Sequence, residues 1–365
     1  MRNFLIFVLL ISIVLSFNAC GGNNKSSDKT SINNSRVIES ENNANKINGK
    51  ITAASPYREG LAFVNLDHNK EKAYCIDKHG NIVFVLENGA ATSINGFIYT
   101  EFKNGYAIIN SGAAICNTKG EITYAKDVGA TEFLGVALYG GYIVAIKETA
   151  DYSSAKLEMG VLNTNFEWIV LPSETIYDEL SEALWHCSSL GAHSYFANDI
   201  TYFEGCKKFL NVKTGEISDT TDVKFPSENW IYEHFTFKAP NGDIMLDLSN
   251  LNNINRMDDN FKNGKVPVAF YNRQVDKRYW TLVNEKGEFL FEPIETELVS
   301  VDFDGDNVLL SDPTAKKLNC FTSNGELLGE LSGVDFTGSE ISDGVILLQN
   351  GKKCFYYNTD FSPLF

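Results

Sequence analysis

Short apolar runs alternate with polar, Gly-bearing turns from about Tyr57 to the end of the chain. The stretch Tyr57–Leu86 sets the pattern: YREGLAFVN, a polar gap, AYCIDKHG, then NIVFVL. Apolar runs this short, bounded by turn residues, predict β-strands. Runs such as IVFVL and GVILL lack polar alternation, which is expected of strands covered on both faces.

One eight-residue block ending in a turn recurs. It reads AYCIDKHG (Ala73–Gly80), AAICNTKG (Ala113–Gly120), MGVLNTNF (Met159–Phe166), KFLNVKTG (Lys208–Gly215), WTLVNEKG (Trp280–Gly287), LNCFTSNG (Leu318–Gly325) and CFYYNTDF (Cys354–Phe361). In most copies Asn or Asp opens the turn and Gly closes it, as in a β-hairpin. A second hairpin signal precedes the block. Ile47–Asn65 aligns with Ile94–Asn110, and weaker versions lie at Tyr139–Ile146 and Ser342–Asn350. Each unit therefore predicts four short strands, in the second unit near Phe97–Phe102, Tyr106–Asn110, Ala113–Asn117 and Ile122–Ala125. Units of this size bury their faces only against neighbours.

These residues resemble the WG repeat of bacterial proteins: aromatic-x-x-Gly-apolar-Ala, then Trp-Gly-aromatic-Ile-Asp-x-x-Gly. Tyr57, Gly60, Leu61, Ala62, Ile76, Asp77 and Gly80 match it. So do Phe102, Gly105, Tyr106, Ala107, Asn117 and Gly120. The namesake dipeptide is replaced, by Ala73-Tyr74, Ala113-Ala114, Met159-Gly160 and Trp280-Thr281. The resemblance implies a β-repeat protein and carries no activity. The expected fold is all-β: a β-propeller of seven blades, each of about four short antiparallel strands. Eight blades and an open β-solenoid are the alternatives. A propeller must bring Ile47–Ala54 beside Val345–Phe365; a solenoid keeps them apart.

The first residues change the picture from fold to address. Arg2 precedes an apolar run, Phe4–Phe17, too short to cross a bilayer and suited to a secretory signal. Phe17-Asn18-Ala19-Cys20-Gly21 resembles a bacterial lipobox, with Phe17 where Leu is usual. That resemblance implies a signal peptide over 1–19 and lipidation of Cys20, palmitate being among the acyl chains expected. Residues 20–45, rich in Asn, Ser and Lys, predict a flexible tether. Residues 46–365 then form a single repeat domain with an insertion near 221–264. The expected location is exported and anchored to a bacterial membrane.

Charge excludes some partners. The chain has 31 Lys and Arg against 47 Asp and Glu, a net charge of −16. Such a surface repels phosphate backbones, so no nucleic acid is expected as partner. Cys75, Cys116, Cys320 and Cys354 fall on predicted third strands, where thiols behave as small apolar groups. No CxxC occurs, which points away from a zinc knuckle or redox pair.

Two stretches interrupt the repeat and are candidate sites. Trp185, His186, Cys187 and His193 gather in Ser173–Phe196, but the spacing suits no metal, and the stretch reads as a connection plus a strand. Thr221–Gly264 carries Trp230, Tyr232, His234, Phe235 and Phe237 in near alternation, which predicts strands; an eighth, degenerate unit here is the alternative to seven. Its second half, Ser249–Gly264, reads as a surface loop and the first place to seek a partner site. Asp302, Asp304 and Asp306 resemble a calcium loop, yet an EF-hand requires Gly and Glu where Asn307 and Pro313 stand. An integrin-type loop requires Asp where Leu310 stands.

The reading assigns no catalytic residue, metal or cofactor. It predicts a monomeric binding or scaffold module that uses propeller loops on a protein, peptide or carbohydrate ligand. The alternatives are an extracytoplasmic hydrolase or quinone-dependent dehydrogenase, favoured by carboxylates at the channel mouth, and an assembly factor that captures peptides on Lys-poor strand edges.

Overall fold

The computed structural model describes residues 46–365, apart from 88, 90, 92, 95, 140, 150–155, 188–194, 205, 250–253 and 258–260. The first sheet shows how the sequence builds the rest. Its strands β1 (Ile51–Ala54), β2 (Leu61–Leu66), β3 (Ala73–Asp77) and β4 (Ile82–Leu86) form an antiparallel meander. Between β1 and β2 the chain turns at Glu59 and Gly60, with φ of 55° and 77°. Two successive positive φ values are the hairpin geometry that follows strand twist. Asn104-Gly105, Asn263-Gly264 and Asp343-Gly344 repeat it.

The turn that closes the recurring block has its own logic. Asp77 Oδ1 accepts the backbone N–H groups of His79 (2.8 Å) and Asn81 (2.9 Å). Asn117 does the same for Lys119 and Glu121, Asn163 for Asn165 and Glu167, and Asn284 for Lys286 and Glu288. In the seventh sheet the Thr322 hydroxyl takes that role. A short side-chain acceptor at this position satisfies two turn amides that no strand reaches.

The described strands fall into eight sheets. The second comprises Tyr106–Ile109, Ala114–Asn117 and Ile122–Tyr124, led in by Phe97–Ile98, which pairs in parallel with β1. The third runs from Glu132–Tyr139 to Trp168–Ser173, and the fourth from Tyr195–Ala197 to Ile217–Ser218. The fifth has three strands, Ile231–Glu233, Thr236–Lys238 and Ile244–Asp247. The sixth extends from Ile254–Met257 to Ile294–Glu295 and the seventh from Ser300–Phe303 to Leu327–Ser332. The eighth holds Gly338–Ser342, Val345–Asn350 and Lys353–Asn358.

Eight apolar cores join these sheets in cyclic order. Phe63 and Leu86 meet Ile109 and Cys116 between the first two. Phe133 and Ile143 meet Ile115 at the next junction, and Val161 meets Leu210 after that. Phe209 with Phe225, Phe237 with Val266, Trp280 with Val308, and Leu318 with Ile346 continue the series. Val345, Leu347 and Tyr356 of the eighth sheet then pack on Ala54, Tyr57 and Ile76 of the first. Leu309 and Leu310 serve different cores, as alternate strand residues must. Both strand faces are therefore covered, as the unbroken apolar runs predict.

Polar bonds close the same seam. Tyr356 Oη donates to Ser55 O at 2.6 Å, and Ser342 Oγ donates to Tyr57 O. The Tyr57 and Tyr356 rings meet edge to face at 4.9 Å. The fold is a closed β-propeller rather than an open solenoid, because the first strand lies against the last sheet.

Two sequence expectations differ from the structure. Ser173–Phe196 contains an α-helix, α1 (Glu174–Cys187), not a plain connection. Ile176 and Leu180, one turn apart, anchor it in the core between the third and fourth sheets. The stretch read as a surface loop, 249–264, supplies the strand Ile254–Met257 and the fully buried Phe261. Phe261-Lys262-Asn263-Gly264 repeats Tyr57-Arg58-Glu59-Gly60, so this segment is the opening hairpin of the sixth sheet. The strands expected around Trp230–Phe237 are present in the fifth sheet.

Candidate functional site

The first hairpin turn and the block-closing turn of each sheet lie at the same end of the propeller. Lys78, in the closing turn of the first sheet, donates to Asp343 O in the opening turn of the eighth. Lys265 Nζ reaches Ser323 Oγ at 3.2 Å between the corresponding turns of the sixth and seventh.

At this end Arg58 stands between two carboxylates from neighbouring sheets. Its Nε lies 3.0 Å from Glu101 Oε2, in the segment that leads into the second sheet, and its Nη2 lies 3.0 Å from Glu340 Oε1 on the eighth. The three side chains are 36%, 35% and 32% exposed. Burial works against the Arg58 charge, but Glu101 and Glu340 outweigh it and hold the guanidinium above its usual value. For both carboxylates burial is the larger influence, so each titrates above the ordinary Glu range despite Arg58. Burial pushes the nearby Lys103 ammonium down.

Carboxylates around this junction bind backbone amides of the next sheet. Asp304 Oδ2 accepts from Gly344 N at 2.8 Å, Asp343 Oδ2 from Gly60 N at 2.8 Å, and Glu59 Oε2 from Gly105 N at 2.8 Å. Asp302 Oδ2 accepts from Ile341 N at 2.6 Å. The opening turns of the seventh, eighth, first and second sheets are thus latched in series. Charge-assisted bonds of this kind fix turns that would otherwise fray.

The Asp302, Asp304 and Asp306 cluster now has a structural account. Asp304 Oδ1 also accepts from Asp306 N and Asn307 N, so its carboxylate caps its own turn as well as the neighbouring one. Trp185, His186 and Cys187 lie on the last turns of α1. His193 and Cys20 lie outside the described residues. Cys75, Cys116, Cys320 and Cys354 are buried free thiols on third strands.

Sequence reasoning passed over Arg58, Glu101 and Glu340. A signal was present. Glu101, Asp302 and Glu340 each sit directly before the apolar residue that precedes an opening turn, where the first sheet has Pro56. An acidic residue recurring at one position ahead of the opening turn becomes visible once the units are aligned. Both Glu101 and Glu340 are engaged by Arg58.

The strand order and closing contacts define the class: a β-propeller. No family model matches the chain, and no curated protein matches it. Solved structures similar to it include Kluyveromyces lactis Hsv2, at 11% identity and a TM-score of 0.36, with 86% of this chain and 96% of that chain covered. Apo AztD from Citrobacter koseri is similar at 13% identity and a TM-score of 0.33, with 86% and 84% covered.

Proposed function

We propose that the chain is a bacterial lipoprotein of WG-repeat type, exported and held at a membrane by lipidated Cys20, whose propeller acts as a monomeric binding module. The observation that carries the binding role is the latched end: opening turns from consecutive sheets are fixed by carboxylate–amide bonds around Arg58. Turns held this way form a preorganised surface that loses less ordering entropy on binding. Ligand classes that suit polar turns are a protein, a peptide or a carbohydrate, and the net charge of −16 disfavours nucleic acid. The polar stretch 20–45 would act as the tether.

Photo-crosslinking residues at Asn104 and Asp306, in the latched turns, test the binding role. A control belongs at Val275, in the turn joining the second and third strands of the sixth sheet at the opposite end. Adducts from envelope extracts at the first two sites and not at Val275 are expected; adducts at Val275 alone would overturn the assignment. Cys20→Ser is expected to abolish acyl labelling and membrane sedimentation, and retention of both would remove the anchor.

A second reading, peptide capture in envelope assembly, is supported by one feature. The outer strand Ile82–Leu86 carries no charge and no Pro, and Val83 is 42% exposed. Such an edge is a template for an added strand. Val83→Lys is expected to abolish capture of extended peptides under this reading and to leave latched-end crosslinks intact.

A further inference from the structure

We propose that the cleft at the closing turn of the fourth sheet binds one neutral sugar ring, an assignment that rests on the binding-module reading and gives this end of the propeller a ligand class. The first support is a departure from the repeat. In five sheets the first and last side chains of the closing turn bond to each other. Asn81 Nδ2 donates to Asp77 Oδ2 at 2.8 Å, Asn117 Nδ2 to Glu121 Oε2 at 2.5 Å and Asn163 Nδ2 to Glu167 Oε2 at 2.9 Å. Asn284 Nδ2 donates to Glu288 Oε2 at 2.8 Å and Asn358 Nδ2 to Ser362 Oγ at 3.0 Å. The fourth sheet also has Asn and Glu, as Asn211 and Glu216, but five positions apart instead of four. The added residue moves the turn bond: Gly215 N donates to Asn211 O at 2.8 Å, four residues back, where Gly120 N reaches Asn117 O, three back. Asn211 Oδ1 still accepts from the amides of Lys213 and Thr214. Its Nδ2 and the Glu216 carboxylate have no partner among the described residues.

Both residues line a cavity of about 270 Å³, just under the usual size of small-molecule sites, about 300–1,000 Å³. Ile200 gives it an apolar wall, and Ser218, Thr220, Thr221 and Asp222 complete it. Ile200 pairs with Asn211 across the second and third strands, and Val212 N donates to Asp199 O. The cavity therefore opens at the end that carries the opening and closing turns.

Donors and acceptors alternate around this cavity. Asn211 Nδ2 can only donate, and the Glu216 and Asp222 carboxylates can only accept. Thr221 Oγ1 accepts from Val223 N at 3.1 Å, which leaves its O–H to donate. Ser218 Oγ donates to Thr220 O at 2.9 Å, which leaves its lone pairs to accept. The neighbouring cations are committed elsewhere: Lys213 Nζ lies 2.7 Å from Asp199 Oδ2, and Lys208 Nζ lies 2.6 Å from Asp219 Oδ1. A bare cation would leave the amide and hydroxyl donors unmatched, and an anion would meet two carboxylates. Adjacent hydroxyl groups both donate and accept, so a sugar ring satisfies the whole set. Its C–H face suits Ile200.

Methyl NMR of the full-length protein, labelled at Ile and Thr in a sugar-free detergent, tests the site. The probes are glucose, galactose, N-acetylglucosamine and maltose, with putrescine as a cationic control. Shifts of the Ile200, Thr220 and Thr221 methyls with at least one sugar, and none with putrescine, are expected. Maltose separates a free sugar from the end of a glycan, and a response to either supports the site. Glu216→Gln and Asn211→Asp are each expected to weaken the binding about tenfold or more. Asn211→Asp keeps the oxygen that caps Lys213 and Thr214, so its turn is retained. The proposal is overturned if no sugar shifts these methyls at about 50 mM, well above a millimolar Kd. It is equally overturned if putrescine alone shifts them, or if both variants bind sugar as the wild type does. Should a variant fail to fold, the wild-type titration decides. Crosslinks at Asn104 and Asp306 without a sugar response would strike this site alone. Sugar shifts without those crosslinks would support it and strike only the binding role around Arg58.

Discussion

Single residues show why the recurring turn takes Gly at its last position. Gly120 has φ of 83°, and a Cβ there would lie 2.6 Å from the Phe84 ring of the preceding sheet. Gly105 has a similar φ of 81° but open space around it. Gly105→Ala should therefore lose about 1 kcal/mol for the backbone alone, and Gly120→Ala roughly 1–3 kcal/mol more for the clash. Urea midpoints of the two variants separate the contributions; equal losses would contradict the packing role. The thiols give a second residue-scale prediction. Burial pushes Cys116, Cys320 and Cys354 up to about 12, and Cys75 higher still. Thiolate is then scarce at pH 8, and thiol reagents should modify these four only on unfolding. Half-buried Cys206 should react before these four.

At the scale of elements, the hairpins were legible and the helix was not. The second unit's strands were expected near Phe97–Phe102, Tyr106–Asn110, Ala113–Asn117 and Ile122–Ala125. They fall at Phe97–Ile98, Tyr106–Ile109, Ala114–Asn117 and Ile122–Tyr124. Local chemistry explains the success: Asn and Gly specify these turns with little help from the rest of the chain. Helix α1 was missed because a single amphipathic stretch, set among strands, reads as a long connection unless Ile176 and Leu180 are seen as one face. Phe261 was missed because the Asn- and Asp-rich residues before it suggested a loop, although Phe261–Gly264 repeats the opening-turn motif. Helix packing is testable. Leu180 is fully buried, so Leu180→Ala should cost about 2–5 kcal/mol, whereas Glu179→Ala, at an exposed position, should cost under about 1 kcal/mol. Chemical denaturation of both variants checks the contrast.

For the whole molecule, the repeat disclosed a propeller but hid one unit and the site. The seven turn blocks correspond to seven of the eight sheets. The fifth sheet escaped the count because its closing turn, Ala239–Asp243, follows Gly215 by fewer residues than elsewhere and lacks the Asn or Asp opener. The Arg58 junction was invisible in one unit because its members come from three sheets, distant in sequence and joined only by closure.

Closure is thus the condition for the seam, the latched turns and the candidate site alike. Pulsed spin-spin distances between labels introduced through unnatural residues at exposed Lys50 and Lys352 probe it directly. A closed propeller places these positions on adjacent sheets, so a separation of about 10–20 Å plus label length is predicted. Eight sheets stacked in an open solenoid at about 10 Å each would put them roughly 70 Å apart, and a distance of that order would contradict the account.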